Sequence, residues 1–298
     1  MVNSLFRVIG CLFNQGNFVA PESDMSGKHV LVTGPSIGGI GFEAALRLAG
    51  FGAYVYLAAR NTGKGEAAAA EIRKVHEQAK VEVLECDMSN LESVRKVAAF
   101  LTSVNKPKID VIVANAGCQL KEHATNEQGV EMTFAACTLG HHLLMRLVKP
   151  VRLVSVTGDI YCLSKGTADP FFKFKKGNGM EAYHRACLGR LLLANEIRRR
   201  IKADGMPEVI AVHPGVIATN FLGASGMGKS LMSTVMISPR AGAQSSIFAA
   251  SCPSSELPSD TVYFHNKRGW VRLPEDDLAS NAADARALFE QCDTICGL

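Results

Sequence analysis

Thr33-Gly34-Pro35-Ser36-Ile37-Gly38-Gly39-Ile40-Gly41 follows a short apolar run and precedes a segment of helical period. A strand, a glycine-rich turn and a helix N-terminus in that order make an anion cradle. The glycines let the backbone approach a pyrophosphate, and the free N–H groups of the helix point at it. Gly34, Gly38, Gly39, Ile40 and Gly41 are the candidate contacts, a merely tight turn being the alternative. Arg60 comes directly after the second apolar run, where a dinucleotide fold that selects NAD places an acid to hold the ribose 2′-hydroxyl. A guanidinium there can pair bidentately with a 2′-phosphate, which points to NADP over NAD; the alternative is an ordinary solvated arginine. Asp87, just past the third run, is placed to meet an adenine edge or to serve as a turn residue.

The elements that must position these residues alternate. Short β-branched runs are separated by longer segments of helical period, the pattern of repeated βαβ units around a parallel sheet. Strands are expected over His29 to Val32, Tyr54 to Ala58, Val81 to Cys86, Ile109 to Ala114, Leu153 to Thr157, Val209 to Val212 and Thr261 to Phe264. Helices are expected over Gly41 to Leu48, Gly65 to Gln78, Glu131 to Val148 and Met180 to Ile201, and from Ser238-Pro239 through Ala250. Ser89 and Glu92 read as a capping box in front of a helix whose Leu91, Val94, Val97, Ala98 and Leu101 share one face.

Val113-Ala114-Asn115-Ala116-Gly117 closes the fourth strand, Tyr183 lies early in the long helix, and His213-Pro214-Gly215-Val216-Ile217-Ala218-Thr219 follows the sixth strand. With the glycine turn, this order resembles the short-chain dehydrogenase/reductases. Tyr54 to Ile72, Gly129 to Leu144 and Ala287 to Glu290 are similar to their retinol dehydrogenase-like branch. The resemblance spans roughly residues 28 to 292. It implies an α/β fold, a Rossmann-like doubly wound parallel sheet of about seven strands in three layers, a nicotinamide cofactor, and hydride transfer at a carbonyl or alcohol. It also implies that Asn115, Ala116 and Gly117 flank the adenosine half of the cofactor and that Val216 and Thr219 meet its nicotinamide end.

Family members work with an Asn, a Ser, a Tyr and a Lys four residues after the Tyr. Here Tyr183 is kept, while Cys187 stands at the Lys position, Gly158 at the Ser position and Cys137 at the Asn position. The missing Lys would hold the nicotinamide ribose and lower the tyrosine pKa from about 10, and the missing Ser would polarise a carbonyl. Thr157 is the hydroxyl closest to replacing that serine. Arg190, seven residues after Tyr183, returns to the same helix face and can supply a positive charge there, or belongs to a solvated face with Arg198 to Arg200.

Composition limits the partners. The 298 residues carry a net charge of +4 spread along the chain, so no basic stripe for nucleic acid is present. Nine cysteines without a CxxC pair or zinc spacing point to a reduced, cytoplasmic protein with no structural metal. No apolar run is long enough to span a bilayer. Residues 1–27 read as an extension and residues 28–298 as one domain. Within the extension Leu5, Phe6, Val8, Ile9, Leu12 and Phe13 share a helical face, suited to packing on the body or to weak peripheral membrane contact. Ile160 to Gly179, with its Phe and Lys residues, and the Met-rich Asn220 to Ile237 are placed to line a substrate pocket. The expected function is an NADP-dependent oxidoreductase acting on an apolar alcohol, aldehyde or ketone. The alternative is a catalytically impaired nucleotide-binding protein of the same fold; assembly as a homo-oligomer is left open.

Overall fold

The computed structural model describes residues 18–120, 122–164, 179–217, 236–258 and 263–298, with the backbone alone at 202–204. Outside these residues lie the amino-terminal apolar face, Thr219, the Phe and Lys residues of 165–178 and most of the Met-rich segment. In chain order the elements are β1 (His29–Thr33), α1 (Ile40–Gly50), β2 (Tyr54–Ala59), α2 (Thr62–Val75), β3 (Lys80–Glu85), α3 (Leu91–Leu101) and β4 (Val111–Ala114). A helical turn α4 (Met132–Phe134), a π-helical turn (Ala135–Leu139) and α5 (Gly140–Val148) come next. Then come β5 (Arg152–Val156), α6 (Gly179–Asp204), β6 (Glu208–His213), α7 (Pro239–Ser251), β7 (Tyr263–His265), β8 (Gly269–Val271) and α8 (Ala282–Cys296).

The strands form one sheet in the order β3-β2-β1-β4-β5-β6-β7-β8, parallel from β3 to β7. The eighth strand, one more than expected, turns back antiparallel on β7 after Asn266–Arg268; at three residues it is too short to announce itself by alternation. Side chains alternate across the strands. Leu31, Tyr56, Ile112 and Leu153 pack on α3, α5, α6 and α8, while Val30, Val32, Val55, Val113 and Val154 pack on α1, α2 and α7. The result is the expected α/β doubly wound arrangement of three layers. Between β1 and β4 the strand order reverses, and ligands of such sheets bind in the crevice at the carboxyl ends of the strands there.

Local structure departs from expectation in two places. Asn90, not Ser89, caps α3 by accepting from Ser93 N at 3.0 Å, because Ser89 donates its hydroxyl to Asp87 at 2.7 Å. The single helix expected over Glu131 to Val148 is interrupted by the π-helical turn, which carries Cys137. At its end a Cβ on Gly140 would stand 2.0 Å from the Met88 carbonyl oxygen, so only glycine lets the helix pass that backbone. Single-turn π segments of this kind re-aim side chains near functional sites.

Candidate active site

The glycine turn lies on one side of the strand-order reversal and Asn115-Ala116-Gly117 on the other. Gly34 and Gly38 have φ of +68° and +78°, the left-handed region that favours glycine. A Cβ on Gly38 would meet nothing within 4 Å, so this side of the turn is open. Gly39 is the N-cap of α1 and offers no side-chain acceptor to it, which leaves the first-turn N–H groups, from Ile40 onward, available to an anion. A Cβ on Gly41 would stand 2.4 Å from Asn115 Nδ2, so the first turn of α1 rests directly on Asn115. Asn115 in turn braces the loop by donating from Nδ2 to Thr33 O at 2.9 Å and Gly34 O at 3.3 Å. Gly34 N donates to Ala58 O at 3.0 Å, which places the turn beside the end of β2, two residues before exposed Arg60. Open glycine backbone and an uncapped helix end fit the diphosphate of a nicotinamide dinucleotide.

Asp87 lies at the end of β3, where its Oδ1 accepts from Ser89 N at 2.9 Å as well as from the Ser89 hydroxyl. It therefore shapes the turn into α3, whatever else it touches. Gly117 is exposed at the crevice edge. Val216 sits beyond β6, its carbonyl accepting from Ile237 N at 3.0 Å.

A buried polar network, not foreseen from the sequence, ties the turn to the chemistry behind it. Thr33 Oγ1 accepts from the backbone N–H groups of Asn115 and Ala116 at 3.0 and 2.9 Å and lies 2.9 Å from His141 Nε2. His141 Nδ1 is 2.8 Å from the Cys137 carbonyl, which can only accept. The proton is therefore on Nδ1, and Nε2 accepts from the Thr33 hydroxyl. Cys137 O also accepts from Arg190 Nε at 2.6 Å, and the remaining guanidinium nitrogens donate to Ala116 O at 2.6 Å and to Val156 O. Arg190 is thus 8% exposed and clamps the ends of β4, β5 and the π-helical turn together; it does not belong to a solvated face. The correction has a physical reason: a position on the inner face of α6 decides its surroundings, and five fixed donors suit converging carbonyls.

Burial takes the His141 imidazole down to about 3, with the Arg190 charge adding to it. Above its ordinary value of 6.5 the residue is neutral folded or unfolded, but below that value only the unfolded chain takes the proton. Stability is therefore expected to fall as pH drops from about 6.5 toward 3, by about 1.4 kcal/mol per pH unit from this residue. Urea unfolding compared at about pH 7.5 and about pH 5 should show the loss, and His141→Gln should flatten it. Parallel slopes in the two proteins would remove His141 as the cause.

Tyr183, Cys187 and Thr157 converge beside Arg190. Burial pushes the Tyr183 phenol well above its usual value of 10, the Cys187 and Cys137 thiols add to the push, and the Arg190 charge opposes it. The phenol donates to the Cys187 thiol, which burial raises to about 12. Thr157 Oγ1 donates to the Cys187 carbonyl at 3.0 Å, so its one proton joins β5 to α6. Gly158 is extended, with φ −157° and ψ 149°, and a Cβ there would meet nothing closer than Ile160 at 3.9 Å.

Farther along the same strand ends, Asp159, His213 and His265 are buried together closely enough to suggest a metal. Their tautomers oppose it. His213 Nδ1 accepts from Gly215 N at 2.8 Å and His265 Nδ1 from Lys267 N at 3.0 Å, so both Nε2 atoms carry protons and have no lone pair to offer a cation; His265 Nε2 lies 3.8 Å from the Asp159 carboxylate.

The short chain dehydrogenase family profile matches residues 28–229. Mouse retinol dehydrogenase 12 is 31% identical, over 96% of this chain and 92% of its own length. The WW domain-containing oxidoreductase of chicken is 32% identical over 94% of this chain and 72% of its own length. Among solved structures, a Mycobacterium paratuberculosis protein superposes with a TM-score of 0.73 at 27% identity, covering 92% of this chain and 95% of that one. A short chain dehydrogenase from Shigella flexneri complexed with NADP has the same fold, with a TM-score of 0.63 at 18% identity over 83% of this chain and 99% of that one. Among the described residues, no helix is long and apolar enough to cross a membrane. The chain belongs to the short-chain dehydrogenase/reductase family of oxidoreductases, in its retinol dehydrogenase-like branch.

Proposed function

We propose that this protein is an NADP-dependent oxidoreductase that interconverts an apolar alcohol with its aldehyde or ketone. One observation carries the reading. The open glycine turn and the Tyr183 group sit at neighbouring strand ends and are joined through Arg190, which bonds Ala116 O on the cofactor side and Val156 O beside Thr157. Gly34, Gly38, Gly39, Ile40 and Gly41 hold the diphosphate, Arg60 the 2′-phosphate and Asp87 the adenine edge. Asn115, Ala116 and Gly117 shape the adenosine side, while Val216 and Thr219 border the nicotinamide end. When bound, the nicotinamide gives or accepts the hydride. Tyr183 moves the proton at the substrate oxygen, and Arg190 is the cation that favours its ionised form. Thr157 keeps β5 and α6 in register at the substrate oxygen. The name of the mouse relative, a retinol dehydrogenase, supports an apolar alcohol or aldehyde as substrate, and that of the chicken relative supports oxidoreductase chemistry. The reading places the enzyme in the cytoplasm, with weak peripheral membrane contact through its amino terminus.

Titration with NADPH and NADH by fluorescence, followed by turnover on a panel of apolar aldehydes and ketones, tests this directly. NADPH should bind more tightly by about tenfold to a hundredfold, since a charge-assisted phosphate contact is worth roughly 1.5 to 3 kcal/mol. Arg60→Ala should erase the preference and leave NADH affinity unchanged. Equal affinities in the wild type would remove Arg60 from this role.

A second reading, a nucleotide-binding protein without turnover, is favoured by the Tyr183 phenol. It is held protonated by burial and bonded to a thiol where the family has an ammonium. Tight NADPH binding with no turnover on any member of the panel would select it.

A further inference from the structure

Sulfur is concentrated at the crevice. Cys118 follows the Asn115-Ala116-Gly117 turn and is partly exposed, while Cys137 is 2% exposed in the π-helical turn. Cys118 N donates to Cys137 Sγ at 3.4 Å, and the Cys137 thiol lies 3.5 Å from the Cys118 carbonyl oxygen. The two thiol side chains also interact with each other. With the Cys137 sulfur already against the Cys118 backbone, the two thiols need only close to the S–S length of about 2.0 Å, a movement that side-chain rotation can supply.

We propose that Cys118 and Cys137 are a redox-modification site, forming a reversible intramolecular disulfide when the protein meets a small peroxide. The reaction balances without help from other groups. The Cys137 sulfur attacks one peroxide oxygen, the O–O bond breaks, and the leaving oxygen takes a proton to depart as water. The resulting sulfenic sulfur is attacked by Cys118, whose proton leaves with the sulfenic oxygen as a second water. The two thiols lose two electrons and the peroxide gains them.

Electrostatics agree with the geometry. The bond from Cys118 and the charge of Arg190, whose Nε reaches the Cys137 carbonyl, hold the Cys137 thiol below its usual value despite its burial. Burial instead pushes up the thiols of Cys86, Cys187, Cys252, Cys292 and Cys296, and such thiols are poor nucleophiles. The disulfide would tether the segment after β4 to the π-helical turn across the mouth of the crevice. This inference uses only the two cysteines and their surroundings, so it stands apart from the cofactor and substrate assignments.

The test is to treat the full-length protein with hydrogen peroxide, quench with an alkylating agent and map the peptides by mass spectrometry. The expected product is a Cys118–Cys137 linked peptide, lighter than its two free thiols by two hydrogens and released by dithiothreitol. Its rate of formation should rise with pH, because the Cys118 bond and the Arg190 charge favour the ionised Cys137 sulfur. Cys118→Ser should instead leave a sulfenic acid on Cys137 that dimedone captures, and Cys137→Ser should abolish the linked peptide. The proposal is overturned if both cysteines are recovered as separate alkylated thiols while other cysteines have oxidised. It is equally overturned if Cys137 is found linked to Cys187.

Discussion

A Gly158→Ser, Cys187→Lys double variant is expected to turn over an apolar aldehyde about 100-fold faster than the wild type or more, and Tyr183→Phe should abolish turnover in both backgrounds. Room exists for the first change. Gly158 already has extended backbone, and the nearest atom to a new Cβ is 3.9 Å away, so the serine hydroxyl arrives without strain. The second change places an ammonium one helical turn from the phenol, where the Cys187 thiol now takes its hydrogen bond. Arg190 lies three residues farther along and opposes a second cation, so the lysine variant should lose some stability, and circular dichroism must accompany the kinetics. In the oxidative direction wild-type turnover should climb with pH, because the phenol must ionise from a value pushed above 10. The restored variant should reach its plateau at lower pH. A double variant that folds, binds NADPH and stays inert would sink the proton-transfer role of Tyr183. A wild type indifferent to Tyr183→Phe would do the same.

Arg190→Leu should cost more stability than any other single change at the site. The substitution withdraws the donor from Ala116 O and Val156 O and one of two donors from Cys137 O, all at buried strand or helix ends. An unsatisfied buried acceptor costs about 1 to 3 kcal/mol, so the total should be roughly 2 to 5 kcal/mol. Arg190→Lys should recover only part of this, since an ammonium lacks the planar fork that serves three converging carbonyls. The urea midpoint at constant m reads the effect. A change below about 1 kcal/mol would mean that water or another donor takes over the carbonyls. With the guanidinium already occupied by backbone, its effect on Tyr183 is purely through space.

The fold and the glycine turn were legible in the chain because both rest on local rules. Leu31 and Val32 alternate between the two faces of one strand, and the glycines of residues 34–41 are demanded by backbone angles and close approach within a single turn. Strand, turn and helix signals act over a few residues, so they survive without knowledge of the rest. The losses at Cys137, Gly158 and Cys187 were legible only through the resemblance to the family, whose four positions fall here in the π-helical turn, just after β5 and on α6. Tertiary structure alone decided what fills those positions. Thr33, His141 and Arg190 are far apart in sequence and meet only because the end of β1, the start of α5 and the middle of α6 converge at one point. Arg190 looks like its neighbours Arg198 to Arg200 by residue type; which way a helix faces, and which carbonyls converge on it, is settled by packing of distant elements. The same holds for Cys118 and Cys137, which meet where the segment after β4 passes the π-helical turn, a feature with no periodic signature in the sequence.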